Sequence, residues 1–187
     1  MSAFGVVKIV LLGDYAAGKT TLKRSFMGLH LDEVYLSTLG VDLASYHFVD
    51  DNFDLKYQIW DLGGQPEFKT IRVQQYKGTE GGLLVFDKAR VETFEHLSDW
   101  LEELSSSISN RVPIFLIGNK SDLLSHEENA EMDRKAEKFI EDNQNTYPEI
   151  DLKGYFATCA LTGENVREAF LALGKEIIKI KSDRMLI

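Results

Sequence analysis

Cysteine, proline and basic charge are what this chain of 187 residues has least of. Its one cysteine, Cys159, excludes an intrachain disulfide and fits a reducing compartment. With three prolines and scattered glycines it offers no linker, so residues 1–187 read as a single domain. Lys and Arg number 21 against 30 Asp and Glu, a formal net charge of −9. A nucleic-acid binder needs a net or local basic surface, so none is expected here. Simple adsorption to anionic lipid is disfavoured for the same reason. No apolar run approaches the ~20 residues that span a bilayer. Met1–Gly5 carries neither a basic leader nor a small-residue cleavage site. Residue 2 is serine and Arg184–Ile187 holds no prenylation cysteine, so neither lipidation pattern is seen. The expectation is a cytoplasmic monomer without a lipid anchor, with peripheral membrane association left open.

What is present is the composition of a globular protein, 44% apolar and 27% charged. Short apolar runs alternate with longer amphipathic ones. Val6–Leu12 reads as a buried strand that opens into a turn, Gly13–Gly18, with a helix from Lys19 to Phe26. Val41–Val49 and Leu55–Trp60 read as strands, and Tyr155–Thr158 as a short last one. Gly82–Phe86 and Ile114–Ile117 are continuous apolar runs of the kind found in central parallel strands. Helical stripes follow at Phe94, Leu97, Leu101, Leu104 and Ile108, at Met132, Ala136, Phe139 and Ile140, and at Val166, Phe170, Leu173, Ile177 and Ile180. This alternation predicts an α/β fold, a six-stranded mostly parallel sheet flanked by about five helices. Ligands in such folds sit at the carboxyl ends of the strands, and the motifs below follow predicted strands.

Gly13-Asp14-Tyr15-Ala16-Ala17-Gly18-Lys19-Thr20 fits the pattern G-x-x-x-x-G-K-[ST]. Its glycines let backbone N–H groups turn inward toward phosphate oxygens. The helix that begins at Lys19 adds the positive end of its dipole. Lys19 would reach the β- and γ-phosphates, and the Thr20 hydroxyl would ligate Mg²⁺. Thr21 is grouped with these nucleotide-binding residues. Asp61-Leu62-Gly63-Gly64-Gln65 follows the Leu55–Trp60 strand. Asp61 would support the metal, directly or through water. Gly64 leaves its N–H open to the γ-phosphate, and Gln65 could align an attacking water. Thr38, ahead of Gly40, could complete the Mg²⁺ shell; a turn threonine is the plain reading.

Asn119-Lys120-Ser121-Asp122 follows the strand Ile114–Ile117. Guanine offers two donors on one edge, N1–H and the N2 amino group, and adenine offers no such pair. The acceptor-only carboxylate of Asp122 would take both and reject adenine. Lys120 can lay its stem along the base, and Asn119 can brace the loops. Thr158-Cys159-Ala160 ends the last strand, where a backbone N–H could meet guanine O6.

Taken together these residues resemble the Ras superfamily of small GTPases, from about Val6 to Ile180. The resemblance implies a P-loop NTPase G domain that binds GTP and GDP with Mg²⁺. It gives Gly13–Thr20 the first nucleotide motif, Thr38 switch I, Asp61–Gln65 switch II, and Asn119–Asp122 with Thr158–Ala160 the base-reading motifs. Thr38–Asp42, Tyr76–Thr79 and Thr162–Val166 are similar to Rab proteins, whereas Trp60–Gln65 is more like Arf proteins and G-protein α-subunits. Tyr35 matches a switch I tyrosine that closes over the phosphates. Leu31 stands where an aromatic often packs on the base, Cys159 replaces the usual serine, and Leu161 the usual lysine. Tyr15 stands where the family has a small residue. It would obstruct an inserted arginine, cover the phosphates, or point to solvent. Effector, exchange-factor and activating proteins are implied as partners.

The expected activity is a molecular switch that hydrolyses GTP slowly, with Gln65 and Lys19 as catalytic residues and Thr20, Thr38 and Asp61 on the metal. No arginine of the chain is assigned to the transferred phosphoryl group. The alternative is a nucleotide-gated scaffold with negligible hydrolysis, motivated by Tyr15. A third reading, a P-loop kinase using ATP, is opposed by Asp122. His30, His47, His96 and His126 lack metal-ligand spacing and read as surface or packing residues. Trp100 reads as helix packing. Glu127–Asp151 holds nine acids against three bases, a solvated helical face.

Overall fold

The computed structural model describes residues 5–30, 38–50 and 53–185. Six strands form one sheet: β1 (Val6–Leu12), β2 (Val41–Asp50), β3 (Phe53–Leu62), β4 (Gly81–Asp87), β5 (Val112–Asn119) and β6 (Ile150–Ala157). Their spatial order is β2-β3-β1-β4-β5-β6. Only β2 is antiparallel to its neighbour. The described helices are α1 (Lys19–Phe26), α2 (Lys69–Gln75), α3 (Val91–Glu95), α4 (Leu97–Ser105), α5 (His126–Asn143) and α6 (Val166–Met185). α3 and α4 are separated by His96 alone, so together they act as one interrupted helix.

β4 and β5 are buried along their whole length. Helices cover both faces of the sheet, which is why these strands are apolar without alternation. On one face α1 and α6 pack Leu22, Phe26, Phe170, Leu173 and Ile177 against Val7, Ile9 and Leu11. Phe26 and Phe170 stack with centroids 3.8 Å apart. On the other face α4 and α5 bring Leu97, Leu101, Leu104, Met132, Ala136 and Ile140 onto Val10, Leu12 and Leu84. α5 starts at a capping box in which Ser125 and Glu128 satisfy each other's backbone N–H groups. Among the described residues no helix is long and apolar enough to cross a membrane.

The sequence reading fits this architecture, with three differences. β6 begins at Ile150, ahead of the predicted start at Tyr155. It is an edge strand, and the ion pairs of Asp151 and Lys153 hide its apolar pattern. Ile108 lies beyond the end of α4, although it still packs on that core. α2 has no apolar stripe and goes unpredicted; Arg72 holds it, as described below.

The Phe26–Phe170 stack joins the first and last helices on one face of the sheet. Phe170→Ala is expected to cost about 3–5 kcal/mol, read as a lower urea midpoint with an unchanged slope.

Candidate functional site

Strand register builds the site. Leu11 of β1 lies beside Asp61 of β3, so the loop after β1 starts next to that carboxylate. The loop is held in unusual backbone geometry, with positive φ at Gly13, Ala16 and Gly18. At Gly18 a Cβ would lie 2.1 Å from Asn119 Nδ2, so only glycine lets the base-side asparagine approach. Ala16, at φ 62°, holds a left-handed conformation that glycine usually supplies.

Lys19 is buried, and its Nζ donates to the carbonyls of Gly13 at 2.6 Å and Asp14 at 2.8 Å. Burial pushes its pKa down to about 8, partly opposed by the carboxylates of Asp61 and Asp14. Thr20 Oγ1 donates to Asp61 Oδ2 at 2.6 Å and lies 2.9 Å from Thr38 Oγ1. Asp61 is fully buried, and its Oδ1 has no partner among the described residues. Two hydroxyls and a carboxylate with one orphaned oxygen suit a hard divalent cation, so the residues present fit Mg²⁺. Gly64 presses on the loop from the other side. A Cβ there would fall 2.4 Å from the backbone of both Asp14 and Tyr15. Tyr15, Ala16, Gly18, Lys19, Thr20, Thr21, Thr38 and Gly64 line one cleft together with Leu62 and Gly63. Tyr15 is 42% exposed at its rim.

A second cavity continues from Gly18 and Thr21 to Asn119, Lys120, Asp122, Ala160 and Leu161. Asn119 ties three segments together. Its Nδ2 donates to Ala17 O, and its Oδ1 accepts from Ala160 N and Thr158 Oγ1. Lys120 is held by Asp87 at 2.6 Å. The Cys159 thiol donates to Asp122 Oδ1 at 3.1 Å. Cys159 and Ala17 are buried and do not line either cavity; they bond Asp122 and Asn119, which line the second one. Gln65 keeps a buried side-chain oxygen with no partner among the described residues. Tyr35 and Leu31 lie outside the described residues.

Several contacts escaped the sequence reading. Asp14 turns its carboxylate away from the cleft, to His96 Nδ1 at 2.7 Å and Trp100 Nε1 at 2.7 Å. His96 is a surface residue and Trp100 a packing residue, as expected, yet both also grip the phosphate loop. They stand four apart, hence on one helix face, which was the available signal. Arg90 Nη2 donates to Tyr15 O, and its Nε pairs with Asp87. Arg72 is buried; it donates to the carbonyls of Gly63 and Gln65 and makes two bonds to Glu103. Tyr76 completes that cluster through its hydroxyl on Glu103. Lys23 Nζ lies 3.1 Å from Asp61 Oδ2 and 2.6 Å from Asp42 Oδ2.

The hydrogen bond to Asp14 holds His96 above its ordinary imidazole value, with Asp99 and Glu95 adding to it. A raised folded-state value favours the protonated ring. The contribution is therefore complete below about pH 6.5 and fades as pH rises through the folded value. Wild type and His96→Gln should differ more in urea stability near pH 6 than near pH 8.5. An equal gap at both would contradict the latch.

The model of the Ras family matches residues 8–179 of the chain. Ras-related protein RABA4d of Arabidopsis thaliana is 35% identical over 181 residues, covering 97% of this chain and 77% of that protein. GTP-binding protein ypt3 of Schizosaccharomyces pombe is 35% identical over 179 residues, covering 96% and 79%. With lysine, threonine and aspartate gathered at one end of a cleft and the Asn119–Asp122 loop at the other, the chain belongs to the Ras family and is Rab-like within it.

Proposed function

We propose that this protein is a GTP-operated switch that hydrolyses GTP slowly to GDP and phosphate. The observation that carries the reading is the continuity of the two cavities. Gly18 and Thr21 line both, so a ligand with a polyphosphate at one end and a purine at the other spans them. Asp122 accepts from the purine edge and selects guanine, which leaves the ATP-kinase reading without support.

Thr20, Thr38 and Asp61 would hold Mg²⁺, which when bound neutralises charge on the β- and γ-phosphates. Lys19 would exchange its loop carbonyls for phosphate oxygens. The Gly64 N–H would contact the γ-phosphate, and the side-chain oxygen of Gln65 would accept from the attacking water. Thr38 and Gly64 sit in separate segments, so loss of the γ-phosphate releases both at once. Partner proteins would read that release. Neither Arg72 nor Arg90 is directed at the phosphates. Arg72 is committed to Glu103, and Arg90 to Asp87 and the Tyr15 carbonyl. Unaided turnover should therefore be slow, below about 10⁻² s⁻¹ in a single-turnover assay. A rate above about 1 s⁻¹ without a partner would overturn this.

Tyr15 at the cleft rim favours a second reading, a nucleotide-gated scaffold with negligible hydrolysis. Phosphate release by Gln65→Leu separates the two. A rate at least about tenfold below wild type supports the switch, and an unchanged rate supports the scaffold. The guanine assignment has its own test. Asp122→Asn should weaken labelled GDP binding by at least about a hundredfold, because one of the two accepting oxygens at the base edge is replaced by a donor N–H₂.

Lys19 adds a pH dependence. Its pKa of about 8 in the free protein rises when phosphates contact the ammonium. Binding therefore takes up a proton above that value. Affinity for labelled GDP should fall about twofold from pH 7 to 8 and about fivefold from 8 to 9. Lys19→Met should bind weakly and without that step.

A further inference from the structure

Lys23 is a charged group at the site that the switch mechanism leaves unused. Its side chain is 4% exposed, and it lies between Asp42 and Asp61. It follows Lys19 by one helical turn, on the same face of α1, where Leu22 and Phe26 are buried. A lysine there is not a solubility device. Its ammonium is held there between two carboxylates at the cost of burial.

We propose that the Lys23 ammonium is a resident counter-charge for the metal-binding carboxylate, which lowers the dependence of the fold and of nucleotide retention on Mg²⁺. The inference rests on reading Thr20, Thr38 and Asp61 as the cation site. A fully buried carboxylate without a counter-charge is strongly unfavourable. Where a divalent ion alone supplies that charge, its removal leaves the carboxylate exposed to the full penalty. Here Nζ shares with Thr20 Oγ1 the same oxygen, Oδ2, and leaves Oδ1 for the cation. The metal-free state stays compensated. The metal-bound state carries a further positive charge nearby, which opposes the divalent ion. Both effects act in one direction: they shrink the difference that Mg²⁺ makes.

The test compares wild type, Lys23→Met, Lys23→Arg and Asp42→Asn, all as full chains. Melting temperature and release of a fluorescent GDP are measured in millimolar Mg²⁺ and in excess chelator. For Lys23→Met, the ratio of release rates between chelator and Mg²⁺ should exceed that of wild type by about tenfold or more, and Mg²⁺ should raise its melting temperature further. Lys23→Arg should restore the wild-type ratio. Asp42→Asn leaves the ammonium to Asp61 alone, so its ratio should be no greater than that of wild type. A purely structural ion pair predicts instead that Asp42→Asn behaves like Lys23→Met. That outcome, or an equal Mg²⁺ effect on wild type and Lys23→Met, overturns the proposal. If Lys23→Met does not fold in either condition, the Asp42→Asn ratio decides. If wild type takes up no labelled GDP, the switch reading fails, and the melting shifts with Mg²⁺ alone still decide the role of Lys23.

Discussion

An ionised carboxylate cannot be left alone inside a protein, and Asp61 is fully buried. The organisation of the site follows from that constraint. The end of β3 delivers Asp61 beside β1, so the loop that leaves β1 must carry compensating groups. Thr20 and Lys23 supply them from the first turns of α1, and Lys19 adds charge nearby. The helix is thus fixed to the sheet at its amino end by polar contacts. Phe26, at its other end, is fixed by aromatic stacking on α6. One short helix is held at both ends by unlike forces, and its start is placed where an anion would need it.

The same economy appears in the loops. Side chains add to the backbone turns of the site's segments by reaching from one segment to another. Asn119 reaches from β5 to the phosphate loop and to the segment after β6. Asp87 at the end of β4 holds both Lys120 and Arg90, so the base side and the phosphate side share one acceptor. Arg72 gathers the carbonyls of Gly63 and Gln65 and fastens them to α4. Charged hydrogen bonds of this kind are shorter and stronger than neutral ones. They let a site made largely of loops keep its shape.

Legibility in the sequence divides along chain distance. The segments Gly13–Thr20, Asp61–Gln65 and Asn119–Asp122, which line two adjoining cavities, stand out in the sequence because each is a short pattern of residues close together in the chain. The central strands were readable because burial on both faces leaves continuous apolar runs. The latch of His96 on Asp14 joins residues 82 apart, and Arg72 meets Glu103 across 31. Charge and polarity at those positions look like ordinary surface until the fold pairs them. α2 was missed because it is anchored by one buried guanidinium and not by a stripe. β6 was shortened because edge ion pairs interrupt its pattern.

Ala16 gives the phosphate loop a property beyond its outline. A methyl-bearing residue in a left-handed conformation is strained by an amount of order 1 kcal/mol, and glycine would relieve it. Glycine would also open many other conformations to the unbound loop. With alanine the strain is met once, when the chain folds, and the cradle is left with fewer shapes to lose when an anion arrives. Association at such a loop should therefore be governed by encounter and desolvation, with little entropy spent on ordering the backbone.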